Sequence, residues 1–451
     1  MFISENPVTN EIIKVYPFDN DLDSKLEQAN LTYLKFSNFS ILNRILLIEQ
    51  LAKELDKNSE KLSSLISLEM GKPIKQSRAE VAKSIYLCKY YSLHSEKHLE
   101  PEIIIDNQLK AKVFYQPLGV LLGIMPWNFP VWQTLRFCIP AIISGNAIII
   151  KPAPNVPQCA ILLEEIFYKV FNNQKVFQLA FVETNTISEL IKHPYIKGVT
   201  ITGSAKAGAS VASIAGSSIK KSVLELGGAD PFVVCNDADI KKAAIHAIRS
   251  RMNNTGQTCI AAKRILVQKE SYDKFKDLLK NEISVLCIGD PMNEKTEIST
   301  LARRDLRENL QRQMESSISQ GAKVIVQGGI MPGKGNYFQP ALLENISSNM
   351  PVYNEEVFGP VAILLPFNTI DEALQISNDT EYGLGASIWT QNKEIQDYYS
   401  MKVEAGYVSV NNFTSSDPRL PFGGIKKSGY GRELGAEGLK EFTNIKTINY
   451  H

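Results

Sequence analysis

Residues 117–152 read PLGVLLGIMPWNFPVWQTLRFCIPAIISGNAIIIKP. Two short apolar runs, 120–125 and 147–150, stand on either side of a longer segment that suits a helix. This alternation is typical of parallel strands joined by a crossover helix. The stretch therefore predicts the centre of a parallel sheet, with a proline-bracketed loop, 126–130, at the end of its first strand.

The same alternation continues on both sides of this stretch. Apolar runs at 176–179 and 199–202 each precede a loop or helix, and a second alternating block extends from Pro231 to about Ala405. Residues 21–100 carry apolar side chains at three- and four-residue spacing, which predicts helices. The predicted helices are 21–37, 41–59 and 80–98, and the predicted strands of the second block are 232–235, 265–268, 324–326 and 361–367. We interpret the chain as two α/β lobes.

A different pattern occupies residues 103–116. Three isoleucines and the run 111–115 flank a polar turn at 106–108, which predicts a β-hairpin that leaves the body. A short predicted strand, 446–450, ends the chain after a glycine-rich loop at 422–431. The hairpin and the C-terminus together predict a small β arm.

Composition excludes several classes of protein. The chain has 451 residues, with 49 Lys and Arg against 48 Asp and Glu, so its charge favours neither nucleic acid nor an anionic membrane as partner. Its length suits about three domains or one two-lobed body. The chain has six cysteines and no C-x-x-C motif, and we find neither a signal peptide nor an apolar run of about 20 residues. These features predict a cytoplasmic protein.

Cys259 is the first candidate for chemistry. Small and polar residues precede it in 253–259 (NNTGQTC), so the loop can expose its sulfur. A nucleophilic cysteine needs exposure and a stabilised thiolate. The alternative is a buried and inert thiol, which is the commoner fate of a cysteine.

Two polar residues stand at the ends of apolar runs. Glu225 lies in 223–228 (VLELGG), where burial would raise its pKa and make it a general base near neutral pH. Asn128, in the proline-bracketed loop, holds an amide that can donate to an oxyanion. The alternatives are a solvent-facing glutamate and an asparagine that stabilises its own turn.

Glycine and lysine follow two other predicted strands. Gly203 and Ser204 begin the turn 203–208 (GSAKAG), where backbone N–H groups and a helix N-terminus can meet a pyrophosphate. Lys151 follows the run 147–150 at a sheet edge, where it can bond a ribose or a phosphate. Neither feature is specific, because many α/β turns and surface lysines look alike.

The histidines support no other chemistry. His94 and His98 are four residues apart on a predicted helix, but the order between them is not H-E-x-x-H and no third ligand is indicated, so we expect no metal site. A cysteine–histidine hydrolase would pair Cys259 with a histidine. None of the five histidines lies in a glycine- or proline-rich loop.

Seven motifs in a fixed order give the chain a family resemblance. They are 126–130 (PWNFP), 151–152 (KP), 202–204 (TGS), 224–228 (LELGG), 256–259 (GQTC), 355–360 (EEVFGP) and 421–424 (PFGG). Together they resemble the aldehyde dehydrogenase superfamily, from about Asn6 to the C-terminus. The sequence around these motifs looks most like the short bacterial NAD(P)-dependent succinate semialdehyde dehydrogenases of that superfamily.

The resemblance implies an α/β fold of two Rossmann-like three-layer lobes with a small β oligomerisation arm. We expect a cofactor-binding domain at 1–102 and 117–227 and a catalytic domain at 228–430. The oligomerisation arm is expected at 103–116 and 431–451, and it implies a homodimer or homotetramer.

The resemblance also implies oxidation of an aldehyde to a carboxylic acid with a nicotinamide cofactor. Cys259 matches the nucleophile and Glu225 the general base, while Asn128 and the Cys259 backbone N–H match the two oxyanion donors. Attack by the thiolate, loss of hydride and hydrolysis of the thioester then split one oxidation into easier steps. In relatives that transfer the acyl group to coenzyme A, the glutamate is typically absent, so Glu225 favours hydrolysis.

The resemblance extends to the cofactor site. The expected cofactor-binding residues are Trp127, Lys151, Pro154, Gly203, Ser204, Glu356 and Phe358. Lys151 matches the adenosine-ribose ligand, Glu356 matches the nicotinamide-ribose ligand, and Phe358 matches the residue that packs on the nicotinamide.

Three residues bear on the substrate. Arg136 follows Asn128 by eight residues, about two helical turns, so both can face one pocket. It resembles the carboxylate-binding arginine of succinate semialdehyde dehydrogenases, a task that suits a guanidinium. Ser416 resembles a carboxylate-binding serine of some semialdehyde enzymes, and Trp132 is the third expected substrate neighbour. We expect succinic semialdehyde as substrate; a salt bridge within the lobe is the alternative for Arg136.

Three positions depart from the family pattern. Asn253 stands where some succinate semialdehyde enzymes carry a second arginine, so glutaric semialdehyde is not separated from succinic. Ile260 replaces the neighbouring cysteine of some members, so we expect no vicinal disulfide. Pro154 stands where NAD-preferring members often carry a glutamate, which predicts NADP preference or use of both NADP and NAD.

Functions from other classes stay open. An aldehyde dehydrogenase for aliphatic or betaine aldehyde lacks a use for the Arg136 charge. An inactive relative that serves as a binding protein needs no Cys259, and a cofactor-free thiol hydrolase needs no Lys151 or Glu356.

Overall fold

The computed structural model describes residues 1–106 and 109–450. Its helices are Leu22–Phe36, Ile41–Lys57, Ser59–Met70, Ile74–His98, Pro130–Ile143, Pro157–Val170, Ile187–Lys192, Ala205–Ser217, Ile240–Met252, Tyr272–Ser284, Arg304–Ser319, Pro351–Asn354, Ile370–Asn378, Lys393–Lys402 and Gly435–Glu441. Within the described residues, no helix combines the length and apolar composition that crossing a membrane requires.

A six-stranded sheet, called here the first sheet, forms around residues 117–152. In spatial order its strands are Gly429–Tyr430, Lys221–Glu225, Ile196–Thr202, Val120–Ile124, Ala147–Lys151 and Phe177–Leu179. All neighbours are parallel except the antiparallel edge strand Gly429–Tyr430. Val120–Ile124 and Ala147–Lys151 are buried along their whole length, which explains why they read as unbroken apolar runs.

The second alternating block forms a seven-stranded sheet, called here the second sheet. In spatial order its strands are Lys323–Val326, Ala341–Glu344, Val361–Phe367, Arg264–Gln268, Pro231–Val234, Gly385–Trp389 and Tyr407–Val410. Only Lys323–Val326 is antiparallel to its neighbour. Helices pack on both sheets, so the α/β fold with two lobes is confirmed.

A three-stranded antiparallel sheet forms the β arm, with the order Thr443–Tyr450, Lys110–Pro117 and Glu102–Ile105. The predicted hairpin is therefore present, although its turn at 107–108 lies outside the described residues. The edge strand Glu102–Ile105 is exposed throughout. Three two-stranded sheets complete the strands: Phe2–Asn6 with Glu11–Tyr16, Gly329–Ile330 with Phe338–Gln339, and Tyr382–Gly383 with Ile425–Lys426.

Three boundaries differ from the sequence analysis. The predicted helix 41–59 ends at Lys57, and a separate helix, Ser59–Met70, follows it after Asn58. The predicted helix 80–98 begins earlier, at Ile74, because Pro73 can precede a helix and Ile74 is buried. The predicted strand 446–450 begins earlier, at Thr443, directly after the helix Gly435–Glu441, which accepts hydrogen bonds from Tyr91 and Ser144.

Candidate active site

Four predicted site residues lie at the carboxyl edge of the first sheet. Lys151 and Glu225 end their strands, Gly203 follows its strand directly, and Asn128 lies in the loop after Val120–Ile124, four residues beyond the strand end. Parallel strands bring their carboxyl ends to one edge, where α/β proteins bind ligands. The sheet topology alone therefore assembles these four residues at one edge.

The loop that precedes Cys259, residues 253–258 (called the cysteine loop), has an unusual backbone. Asn254, Thr255 and Gly256 have φ values of 55°, 53° and 76°. Left-handed backbone is costly for residues other than glycine and persists where the surroundings hold it. Here the backbone N–H of Ser299 donates to Thr255 Oγ1 over 3.0 Å. A Cβ on Gly256 would lie 2.4 Å from the Gly359 carbonyl oxygen, so the loop packs too closely for a side chain there.

Hydrogen bonds join Asn128 to the cysteine loop. The Asn128 Nδ2 group donates to the carbonyl oxygen of Gln257 over 3.0 Å, and Asn254 Nδ2 donates to the Asn128 carbonyl over 2.8 Å. Asn128 is buried. The predicted oxyanion donor is thus fixed two residues from the predicted nucleophile, Cys259.

A buried ion pair supports the loop that carries Asn128. Glu80 accepts hydrogen bonds from the backbone N–H groups of Val131 and Trp132, at 2.9 and 3.0 Å, in the first turn of the helix Pro130–Ile143. Its other carboxylate oxygen binds the Lys72 ammonium, and both side chains are fully buried. A carboxylate at a helix N-terminus is favourable. The sequence analysis missed this pair, because neither residue stands in a recognisable motif.

Cys259 itself is partly exposed. Burial raises the pKa of its thiol to about 12, against the opposing charges of Lys263 and Arg136. The Lys263 ammonium donates to the carbonyl oxygens of Thr258 and Cys259, so one cation both shapes the loop end and lies near the sulfur. The thiol of Cys259 is therefore protonated near neutral pH.

Glu225 is buried, and its Oε1 atom has no hydrogen-bond partner in the described chain. Burial raises its pKa well above the ordinary range, while the nearby charge of Arg136 acts in the opposite direction. Arg136 Nη2 lies 3.8 Å from Glu225 Oε2. A carboxyl group in such surroundings can take up and release a proton near neutral pH.

Arg136 is paired and packed within the protein. Its Nε forms a buried ion pair with Glu433, and its guanidinium packs against the ring of Phe422, with 5.0 Å between Cζ and the ring centroid. The structure therefore contains a salt bridge of the kind that the sequence offered as the alternative role of Arg136. Glu433 escaped the sequence analysis because it lies 297 positions further along the chain, in the glycine-rich tail.

The predicted adenosine end of the cofactor site has unpaired polar groups. Burial lowers the pKa of Lys151 to about 8, and its ammonium has no hydrogen bond or ion pair within residues 1–106 and 109–450. Pro154 is exposed nearby, and both amide atoms of Asn155 are buried without a partner. Ser204 caps the helix Ala205–Ser217 through the N–H of Ala207, over 3.3 Å. An ammonium without a partner and a helix N-terminus at the same edge of the sheet fit a nucleotide with phosphate groups.

The predicted nicotinamide end joins three motifs. Glu356 Oε1 accepts hydrogen bonds from the backbone N–H of Gly228 over 3.0 Å, and lies 3.3 Å from Lys263 Nζ. The rings of Trp127 and Phe358 meet edge to face, with centroids 5.7 Å apart. Glu356 therefore connects, through Lys263, to the residues around Cys259.

Two of the predicted substrate residues converge on a lysine that the sequence analysis did not single out. Lys83 Nζ donates to Ser416 Oγ over 2.8 Å and lies 4.3 Å from the ring centroid of Trp132. Lys83 belongs to the long helix Ile74–His98. Nothing in the sequence distinguishes it from the other lysines of that helix.

Metal ligands are not grouped in the described part of the chain, where no set of three or more His, Cys, Asp or Glu side chains is placed to hold an ion. His94 lies near His98 and near Tyr90, with ring centroids 6.2 and 4.7 Å apart.

The two α/β lobes and the arrangement of their strands are those of a dehydrogenase fold known from solved structures. The chain superposes on the succinic semialdehyde dehydrogenase of Streptococcus pyogenes in complex with NADP+, with a TM-score of 0.97 and 31% identity, over 99% of both chains.

The sequence profile of the aldehyde dehydrogenase family matches residues 2–448, and the chain belongs to that family. A probable succinate-semialdehyde dehydrogenase [NADP(+)] of Synechocystis is 41% identical over 98% of both chains. A succinate semialdehyde dehydrogenase [NAD(P)+] of Escherichia coli is 40% identical over 99% of this chain and 97% of that protein. The predicted family and fold are confirmed.

Proposed function

We propose that the protein oxidises succinic semialdehyde to succinate with NADP+ or NAD+. The observation that carries the proposal is the hydrogen bond from Asn128 to the cysteine loop, which fixes an amide donor beside Cys259. The names of its relatives favour succinic semialdehyde and both cofactors.

The first chemical step forms a bond between the Cys259 sulfur and the aldehyde carbon. The thiol loses its proton to solvent, because Cys259 is only partly buried. The carbonyl electron pair moves to oxygen, and the oxyanion accepts hydrogen bonds from Asn128 Nδ2 and the Cys259 backbone N–H. Each such donor contributes about 3 kcal/mol to the transition state.

Hydride departure leaves a thioester on Cys259. When bound, the nicotinamide cofactor supplies the hydride acceptor and a positive charge that favours the thiolate. Glu225 then removes a proton from water, whose oxygen attacks the thioester carbon. The carbon–sulfur bond breaks, succinate leaves, and Cys259 returns to the thiolate.

The residues that would hold the cofactor are those at its two predicted ends. Lys151, Gly203 and Ser204 would bind the adenosine ribose and pyrophosphate, and Glu356 and Phe358 would bind the nicotinamide riboside. The first lobe, 1–102 with 117–227, is then the cofactor-binding domain, and 228–430 is the catalytic domain.

Assembly and location are part of the proposal. Within the described residues, the exposed strand Glu102–Ile105 has a neighbouring strand on one side only and presents three isoleucines, which favours pairing with another subunit in a homodimer or homotetramer. Six unpaired cysteines favour the cytoplasm, where thiols stay reduced.

We expect Pro154→Glu to shift the cofactor preference toward NAD. A carboxylate three residues after Lys151 would repel a 2′-phosphate and accept a hydrogen bond from a ribose 2′-hydroxyl. The ratio of kcat/KM for NADP to that for NAD should fall about tenfold or more, which corresponds to ~1.4 kcal/mol. Pro154→Gln, which lacks the charge, is the matched control. An unchanged ratio in Pro154→Glu would place the 2′-phosphate elsewhere.

Steady-state kinetics of the unmodified protein test the proposed substrate. We expect kcat/KM for succinic semialdehyde to exceed that for butanal, a neutral aldehyde, by about tenfold or more. A neutral aliphatic aldehyde is the second candidate, favoured by the ion pair that Arg136 already forms with Glu433. Equal or better use of butanal would select that candidate, and no oxidation of any aldehyde would favour an inactive relative.

A further inference from the structure

We propose that Lys83 binds the carboxylate of the substrate and sets the preference for an acidic aldehyde. This inference rests on the proposed function and identifies the cation that recognises the acid. Ser416 and Trp132 hold the lysine in place: one accepts a hydrogen bond from its ammonium, and the other presents an aromatic ring to it.

The position of Lys83 relates it to the chemistry. Its side chain is close enough to Cys259 and Arg136 for their charges to act on it. Glu80, one turn earlier on the same helix, holds the N–H groups of the helix that follows Asn128. The helix Ile74–His98 therefore positions both Glu80, which supports the loop of Asn128, and the Lys83 ammonium.

Arg136 is less suited to this task than the sequence predicted. Glu433 balances its charge inside the protein, and Glu225 lies 3.8 Å away on its other side. A substrate carboxylate bound by Arg136 would lie beside these two acidic groups. Removing Arg136 would also leave Glu433 buried without a partner, which costs stability. Replacement of Arg136 therefore cannot separate recognition from folding.

Lys83 has no such partner. Its ammonium forms no ion pair within the described residues, where it bonds to the neutral hydroxyl of Ser416. Asp417, the nearest acid beside that serine in the sequence, is held by Arg419 through two hydrogen bonds of 2.8 and 2.7 Å. Within the described residues the lysine thus holds a positive charge that forms no ion pair, in a half-buried place, which is a favourable site for a carboxylate.

The charge on Lys83 depends on pH. Burial lowers the pKa of Lys83 to about 8, the charge of Arg136 acts in the same direction, and Asp417, Glu80 and Cys259 oppose it. The ammonium is present below this pKa and is lost as pH rises through it. Preference for the semialdehyde over butanal should therefore fall between about pH 7 and pH 9.

The variants are Lys83→Met, which removes the charge and keeps a long side chain, and Lys83→Arg, which keeps the charge at every pH tested. Lys89→Met is the matched control, because Lys89 is an exposed lysine of the same helix. Melting temperatures of all variants check that each is folded.

We expect Lys83→Met to lower kcat/KM for succinic semialdehyde by about 10- to 100-fold, mainly through KM, and to leave that for butanal within about twofold. Lys83→Arg should retain the preference for the semialdehyde over butanal, and this preference should no longer fall at high pH. Lys89→Met should match the unmodified protein. If the unmodified protein prefers the semialdehyde and Lys83→Met keeps that preference, the inference is wrong.

Inhibition by succinate separates this inference from the proposed substrate. The dicarboxylate is tested against oxidation of butanal, so turnover of the semialdehyde is not needed. Weaker inhibition of Lys83→Met by about tenfold or more, with Lys83→Arg unchanged, supports a carboxylate site at Lys83 even if butanal proves the better substrate. Equal inhibition of all three proteins overturns it.

Discussion

Cys259→Ala will abolish aldehyde oxidation, with kcat reduced by at least about 10⁴-fold, because no other group can carry the covalent intermediate. The side chain is partly exposed and small, so the substitution leaves the fold and the cofactor site in place. Two measurements test this expectation. Steady-state kinetics should show the loss of kcat, and a fluorescence titration should show that the variant binds NADPH as the unmodified protein does.

Cys287→Ala is the matched control, since Cys287 is an exposed cysteine in another part of the chain. It should retain full activity. Residual activity in Cys259→Ala near that of the unmodified protein would remove the covalent mechanism and require another nucleophile.

Glu225→Gln has the second largest expected effect, and it separates the two halves of the reaction. The amide cannot accept a proton from water, so steady-state turnover should fall by about 10²- to 10⁴-fold. Formation of the thioester does not need the carboxylate, so one equivalent of NADPH per active site should still appear in a rapid burst. Stopped-flow absorbance measures both phases in one trace.

The pH dependence of turnover provides a further check on Glu225. Burial raises the pKa of this carboxyl, and only its ionised form is a base, so hydrolysis of the thioester should accelerate as pH rises through that pKa. Glu225→Gln should lose this dependence. Loss of the burst together with turnover would instead assign Glu225 to an earlier step.

Much of the fold followed from local patterns. The runs 120–125 and 147–150 are central strands buried on both faces, so their apolar character and short length were decisive. Helix boundaries were less certain. The break at Asn58 could not be read from periodicity, because the helices on either side continue similar spacing of apolar residues.

The site was predictable where a motif names a residue, and only there. Asn128, Glu225 and Cys259 stand in distinctive loops at strand ends, and the fold brings the Asn128 and Cys259 loops together. The partners of these loops are distant in sequence. Lys83 and Ser416 are separated by 333 positions, and no local pattern indicates which lysine of a helix meets which serine.

Arg136 illustrates the same limit. Helical spacing predicts that Arg136 and Asn128 face one pocket, but the spacing carries no information about Glu433, which lies 297 positions further along the chain. An ion pair between residues so far apart in the sequence can be identified only once the tertiary structure is known. The role of the arginine therefore shifts from free ligand toward a buried pair beside Glu225, and carboxylate binding by Arg136 stays a prediction.

The central claim is that Cys259 carries the acyl group during aldehyde oxidation. The most direct test is mass spectrometry of Glu225→Gln after incubation with succinic semialdehyde and NADP+, followed by acid quench and trypsin. The tryptic peptide 252–263 contains Cys259 as its only cysteine. We predict a succinyl group on this peptide, formed in step with the NADPH burst. NADPH formation with the peptide unmodified, or a succinyl group on another cysteine, would contradict the account.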